Sequence, residues 1–379
     1  MQPTVVILGG GFSSIGTAHK LLKHTQPKVP SLRVVLVSRS THHYWNIASV
    51  RGVVPGAIAD DQLFFDIEDG FKRYPDGRFE LVVGSVSAIE LGDESVTIQT
   101  EDGQKLIRYT QLVIATGASY RSQLPFTSIG THEKTIGALH NLQQQIEAAT
   151  SITIAGSGPT GVETAAEIAC AYGTSKEVTL IVESGAPLSV MRMYIREAAA
   201  HGLEALGVKL ILNARVKSAT QSGSRMLVKL SNGEDHLTDV YLPLFGTRPN
   251  TRFVPTQLLD GRGYVKVDKA LRVEGLKNVW AVGDVGNLES NQLIYAENQT
   301  HHVARNLNAV ITGREDQVVD LKPGYSPQIF VTLGKKKGVG QVFNLQMPGF
   351  IVSTVKGKTL FTEKGPGMIS GKNIVRSSI

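Results

Sequence analysis

The chain opens its pattern with a short apolar run, Thr4 to Leu8, which breaks into Gly9-Gly10-Gly11-Phe12-Ser13-Ser14-Ile15-Gly16 and then into a helical stripe at Ala18, Leu21 and Leu22. Those periods predict strand, glycine turn, helix. The same order returns further along: Ser151 to Ala155 is the strand, Gly156-Ser157-Gly158-Pro159-Thr160-Gly161 the turn, and Val162 to Cys170 the helix. Runs at Leu32 to Val37 and Val178 to Val182 supply the strand after each helix. Two more apolar strands close on small or acidic turns, Leu112 to Gly117 and Val279 to Asp284. Strands alternating with helices predict an α/β chain. The return of a whole unit indicates two Rossmann-like folds rather than a short-period repeat.

A turn of this kind lets the backbone approach a pyrophosphate, while the N–H groups and positive end of the next helix meet its charge. In the second copy Gly156, Gly158 and Gly161 complete the GxGxxG pattern. Glu183 ends the following strand, about 20 residues on, where an acid accepts hydrogen bonds from an adenosine ribose. The first copy is less complete: Gly9 and Gly11 fit, Ser14 stands at the third glycine, and Ser38-Arg39 replaces the ribose acid. One nucleotide needs one turn, so two turns predict two dinucleotides.

With Ala115-Thr116-Gly117 and Gly283-Asp284 in their places, the chain resembles the two-dinucleotide flavoprotein superfamily of pyridine-nucleotide oxidoreductases. Within it the chain is similar to the AIF-homologous branch that includes ferroptosis suppressor proteins and fungal relatives, with type II NADH dehydrogenases as wider kin. Gly161-Val162-Glu163-Thr164-Ala165-Ala166-Glu167-Ile168, the segment Asn46 to Arg51, and Thr332 to Gln341 carry that similarity. The resemblance implies FAD at the first turn (Gly9, Gly11, Ser14), with Arg39, Asn46 and Arg51 on the cofactor and Asp284 hydrogen-bonding its ribityl or pyrophosphate part. It implies NADH at the second turn, with NADPH kept open, and Glu163 reaching the nicotinamide carboxamide. Ala115, Thr116 and Gly117 then mark the crossing into the NAD domain and Gly246, in Gly246-Thr247-Arg248-Pro249-Asn250, the return; the same residues also suit a plain turn. Glu167 reads as an acid favoured by the helix dipole.

Two departures stand out. The family usually has an acid at Ser38 and a His where this chain has Trp45. His42 and His43 lie close enough to substitute, although a pair of exposed loop histidines is the plainer reading.

The expected layout is an FAD-binding domain at 1–118 and 249–315, an NAD(P)H-binding domain at 119–248 inserted into it, and a C-terminal α+β portion at 316–379. Short turn-bounded runs at Gln328–Leu333, Val339–Phe343, Phe350–Val355 and Thr359–Phe361 predict strands there. In related enzymes this portion covers the flavin and shapes the acceptor site, and Phe361 matches an aromatic placed near a quinone.

Composition narrows the chemistry. Apolar residues make up 41% and charged residues 19% of the 379, and no apolar run approaches the roughly 20 residues a bilayer span needs. The first strand starts almost at Met1, Gln2 is not the glycine of a myristoylation signal, and Arg376-Ser377-Ser378-Ile379 is not a prenylation box, so neither a leader nor a lipid anchor is expected. A location in the cytoplasm or at a mitochondrial surface is left open. The net charge of +6 is scattered apart from Lys335-Lys336-Lys337, which argues against nucleic acid and leaves peripheral contact with anionic lipid through lysines 335–337, 356, 358 and 364.

Cys170 is the single cysteine, so an intramolecular disulfide, a thiolate metal cluster and a CxxC pair are all excluded. In apolar company it reads as a small core residue. The expected activity is hydride transfer from NADH to FAD and onward to a quinone. The alternatives are a peroxide-forming NADH oxidase and a redox-gated binding protein of the apoptosis-inducing-factor type. Glu183 predicts NADH over NADPH, with Arg192 and Arg196 taken as a solvated helix face.

Overall fold

A computed structural model describes residues 2–324, 328–343 and 345–373, so the Arg376–Ile379 ending lies outside the described residues. The first sheet has five parallel strands in the order Val279–Ala281, Gln111–Ile114, Thr4–Leu8, Arg33–Ser38 and Phe79–Val83. Val5 to Leu8 and Val34 to Val37 are buried on both faces, which is why they are continuous apolar runs rather than alternating ones. Helix Phe12–Lys20 packs against this sheet, and helix Leu293–Ile311 packs on that helix.

The second sheet has four parallel strands in the order Lys209–Ile211, Glu177–Ile181, Ser151–Ala155 and Val240–Pro243. Its core strand repeats the first sheet in detail. Gly9 and Gly156 both have positive φ, 124° and 113°, and a Cβ on either would lie 2.4 Å from a carbonyl oxygen, that of Ala115 or that of Leu244. The Ala115 N–H donates to Leu8 O at 2.9 Å, as the Leu244 N–H donates to Ala155 O at 2.7 Å. The duplication expected from pattern is thus a duplication of geometry. Each sheet also carries a three-stranded antiparallel meander that the apolar pattern does not announce, Ser85–Arg108 and Val216–Thr238.

Two short strands, Ala118–Tyr120 and Thr247–Pro249, run antiparallel where the chain crosses between the sheets. Asn250 fastens the crossing: its Nδ2 donates to Thr116 O at 2.8 Å and its N–H to Gly117 O at 2.9 Å, while Thr116 Oγ1 donates to Asn250 O at 2.8 Å. The Gly246 segment is therefore a paired strand rather than a plain turn.

In the C-terminal portion the strands Ile329–Leu333 and Lys337–Val342 form as expected, with Leu345–Met347 added beside them. Of the other two expected strands, Phe350–Val355 is helical and Thr359–Phe361 is a turn. Gly349–Val352 is a turn of helix that continues to Gly357, and Phe361 leads into a 3₁₀ turn at Thr362–Lys364. Buried positions 352, 353, 357 and 360 follow a helical spacing, with Val352 packed onto Gly338 and Gly340, so tertiary contact overrides the β-branched composition.

Candidate functional site

The first glycine turn lies at the centre of the first sheet's carboxyl edge. Gly11 caps helix Phe12–Lys20 with nothing near its absent Cβ, which leaves the helix N-terminus open to an anion. Ser14 is fully buried and its Oγ donates to Ala115 O at 3.2 Å, so the hydroxyl ties the turn to the neighbouring strand. At the equivalent Gly161 a Cβ would lie 1.8 Å from Gly156 O, so the second copy has no such freedom.

Asp284 follows Gly283, which lies against Ser13 of the first turn helix. Burial alone pushes its carboxyl up to about 6. A carboxylate left in that condition beside a glycine turn suits a cofactor hydroxyl as its partner. Ser38 offers no such group, because its Oγ donates to Ser40 O at 2.7 Å and accepts from the Ser40 N–H. A cavity of about 660 Å³ opens beyond this strand, lined by Arg39, Thr41 and His132 among others. That is where the adenosine half of a dinucleotide lies in such folds. The His132 Nδ1 is buried without a partner, and its ring stacks on His42 at 3.9 Å. The open helix end, the uncompensated Asp284 and this cavity together fit FAD.

At the second turn Gly158 caps helix Pro159–Tyr172 with backbone angles like those of Gly11, and Pro159 stands at its first position. Glu183 is exposed and lies 3.5 Å from Arg215. Arg196 departs from the expected solvated face. Its Nη2 donates to Ala186 O at 2.8 Å and Ser184 Oγ at 3.0 Å, and its Nε to Pro187 O, so it braces the loop after Glu183.

A family model described as pyridine nucleotide-disulphide oxidoreductase matches residues 3–306. The chain belongs to that family. Oxidoreductase ptaL of Pestalotiopsis fici is 36% identical over 369 residues, covering 97% of this chain and 98% of the relative. Ferroptosis suppressor protein 1 of Homo sapiens is 28% identical over 367 residues, covering 94% and 93%. A structure of NDH2 from Plasmodium falciparum in complex with NADH shares the fold with a TM-score of 0.76 at 14% identity, covering 100% of both chains. As a pyridine nucleotide-disulphide oxidoreductase the chain is an FAD- and NAD(P)H-dependent oxidoreductase, and the likeness to ferroptosis suppressor proteins read from its motifs holds. The dithiol half of the family name has no counterpart here, since Cys170 is alone.

In this member of the pyridine nucleotide-disulphide oxidoreductases, one face of helix Pro159–Tyr172 carries two buried ion pairs, one to Lys356 of the C-terminal portion and one to Arg51 of helix Ser49–Gly52. Glu163 Oε1 accepts from Lys356 Nζ at 2.6 Å, from the Thr332 N–H at 2.8 Å and from Thr332 Oγ1 at 3.1 Å. One turn on, Glu167 takes a two-pronged bond from Arg51, Nε to Oε2 and Nη2 to Oε1, both at 2.8 Å. Glu167 is thus an ion-pair partner rather than a dipole acid. Arg51 also donates to Gly357 O at 2.7 Å and Lys358 O at 3.0 Å, which commits its guanidinium to protein groups. The sequence placed Glu163 and Arg51 at the cofactors but marked Lys356 as a lipid-facing lysine; its bond to Glu163 shows only when the helix at 349–357 brings it inward.

The remaining residues fall around these pairs. Asn46 begins a 3₁₀ turn and its carbonyl accepts from Ser49 Oγ at 2.6 Å. Trp45 is buried and its Nε1 donates to Leu360 O at 3.0 Å. Phe361 follows in a left-handed conformation, φ 62°, half-buried, with Lys364 over its ring at 4.2 Å. His43 is buried, not an exposed loop residue: its Nδ1 bonds Gly10 O at 2.9 Å, its ring meets Phe12 edge-on, and its Nε2 has no partner. Cys170 is exposed rather than a core residue, because it falls on the rim where the helix leaves the C-terminal hairpin.

Proposed function

We propose that the chain is an NADH:quinone oxidoreductase, with residues 1–118 and 249–315 holding FAD, 119–248 holding NADH and 316–379 covering the flavin. The observation that carries this reading is the pair of matched glycine turns in a chain with one cysteine. Both dinucleotides are provided for, yet no protein dithiol exists to take the electrons, so they leave to an external acceptor. FAD, when bound, supplies two-electron acceptance from nicotinamide and release to that acceptor.

The protein's own part is binding and exclusion of water. Gly11 and Gly158 leave two helix N-termini open to pyrophosphate, and Asp284 accepts from the FAD chain. Glu163, held by Lys356 and Thr332, keeps Oε2 for the nicotinamide carboxamide, so the C-terminal cover and the nicotinamide site share one carboxylate. Phe361 faces the acceptor side. The sulfide:quinone oxidoreductase of Aquifex aeolicus, with a TM-score of 0.74 at 16% identity, supports a quinone on this fold.

Among the described residues no helix is long and apolar enough to cross a membrane. Peripheral contact with anionic lipid draws on Lys335–Lys337, Lys358 and Lys364, since Lys356 is committed to Glu163. The test of the acceptor is anaerobic reduction by NADH followed by mixing with a short-chain ubiquinone analogue, oxygen or ferricyanide. Reoxidation fastest with the quinone supports the reading; fastest with oxygen makes the protein an NADH oxidase.

A further inference from the structure

A second cavity, of about 490 Å³, lies between the far half of helix Pro159–Tyr172 and the hairpin of strands Ile329–Leu333 and Lys337–Val342. Neither glycine turn, Asp284 nor Glu163 lines it. Its size is that of a site for a small organic molecule. The walls are apolar, with Val54, Leu206 and Leu333 contributing. On its floor the Arg51–Glu167 pair is neutral as a unit, with the guanidinium fully engaged.

The mouth is different in kind. Lys335, Lys336 and Lys337 all line the cavity, all are exposed, and none has an ion pair among the described residues. Gly334, at φ 72°, lies against Cys170 Sγ, so the turn that carries the lysines is pinned to the helix and the rim is already formed. Three consecutive like charges repel one another, and an anion at the rim relieves that repulsion.

We propose that this cavity binds an amphiphilic acid, with its anionic group at the lysine rim and its apolar body between Val54, Leu206 and Leu333. Quinones, being uncharged, do not use the rim, so the site is separate from the acceptor site and does not depend on the quinone reading. A membrane lipid shares the chemistry of a free acid, but a half-open cavity of about 490 Å³ matches one short chain better than a two-chained lipid.

Cys170 provides the readout, because it is the chain's single thiol, it is exposed, and it lines this cavity. Its alkylation by iodoacetamide is followed by intact mass on the FAD-loaded protein. Dodecanoate below its micellar concentration slows alkylation about tenfold once it reaches about nine times its dissociation constant, whereas dodecanol at the same concentration slows it less than about twofold. The triple variant Lys335→Ala, Lys336→Ala, Lys337→Ala, which changes only exposed side chains, keeps its flavin absorbance and melting temperature and loses the protection by dodecanoate. Equal protection by the alcohol, protection that survives in the triple variant, or no protection at all overturns the proposal. Protection by phosphatidylglycerol vesicles without protection by monomeric dodecanoate overturns it in favour of a lipid surface.

Discussion

Trp45 Nε1 donates to the carbonyl oxygen of Leu360 at 3.0 Å, joining the segment after the second strand to the residue that precedes Phe361. Trp45 stands where the family resemblance implied a His, and its bond joins that position to the C-terminal portion. Leu360 and Phe361 are both left-handed, φ 52° and 62°, a conformation that costs non-glycine residues energy and persists only when neighbours hold it.

Replacing Trp45 with Phe leaves the buried Leu360 carbonyl unpaired, at a cost of about 1–3 kcal/mol. The expected result is a higher KM for a short-chain quinone with little change in the KM for NADH. Phe361→Ala gives the same split, and the double variant is less than additive because both act through one contact. Equal effects on both substrates would make Phe361 a packing residue.

Asp284 ties cofactor binding to stability. Its folded carboxyl is raised to about 6 from 3.8, so the folded apoprotein holds a proton that the unfolded chain has lost, and stability falls as pH rises through that window. His19 and His43 act in the opposite sense. Burial lowers both to about 4 from 6.5, so stability falls as pH drops through that range. Asp284→Asn therefore weakens FAD binding, stabilises the apoprotein at pH 8 by about 3 kcal/mol, and steepens its loss of stability on acidification. Denaturant midpoints from pH 4 to pH 8 check this: the variant and wild type converge near pH 4. A variant no more stable than wild type at pH 8 rules out the buried-charge account.

Glu183 predicts NADH over NADPH, and the structure adds Arg215 to the argument. A carboxylate at the ribose repels a 2′-phosphate, and tenfold preference requires only about 1.4 kcal/mol. With Arg215 3.5 Å away, removal of the acid leaves a cation facing the phosphate. Glu183→Ser is expected to gain about tenfold in kcat/KM for NADPH, and Glu183→Ser with Arg215→Ala to lose that gain. Equal efficiency with both cofactors in the wild type removes Glu183 as the discriminator.

Lys356→Met leaves Glu163 buried with only Thr332 as donor, and Arg51→Met does the same to Glu167 without any donor. Removing one partner of a buried pair costs about 3–5 kcal/mol. Faster hydrogen exchange across residues 328–358 is expected in both variants. In the Lys356 variant alone the KM for NADH is also expected to change, because Glu163 and not Glu167 is the carboxylate proposed to meet the nicotinamide.

The two nucleotide folds were legible because a pyrophosphate turn requires glycine at fixed spacing, and steric demand of that kind shows in the residues themselves. Gly9 and Gly156 meet the same obstacle, a carbonyl from the next strand over. The meanders were missed because strands such as Val216–Ser222 are largely exposed and polar, with little apolar pattern to read. Phe350–Val355 was misread because β-branched residues suggested strand where contact with Gly338 and Gly340 decides. Of the proposed site, Glu163 and Asp284 came from the family resemblance, and Arg51, expected on the cofactor, is instead held by Glu167 and the carbonyls of Gly357 and Lys358. Lys356 and Arg215 were not legible, since each meets its carboxylate from a distant segment, and distance along the chain carries no local signal.

Arg51 waits for Lys358, 307 residues further along, to supply a carbonyl to its guanidinium. At about 5–20 residues per second, a ribosome takes roughly 15–60 s to cover that interval. The first glycine turn is made before that interval begins and the second well within it. A nascent chain therefore passes through a stage in which its nucleotide sites are built and its cover is not, and that stage gives a bulky cofactor an unobstructed path before the last helices close over it.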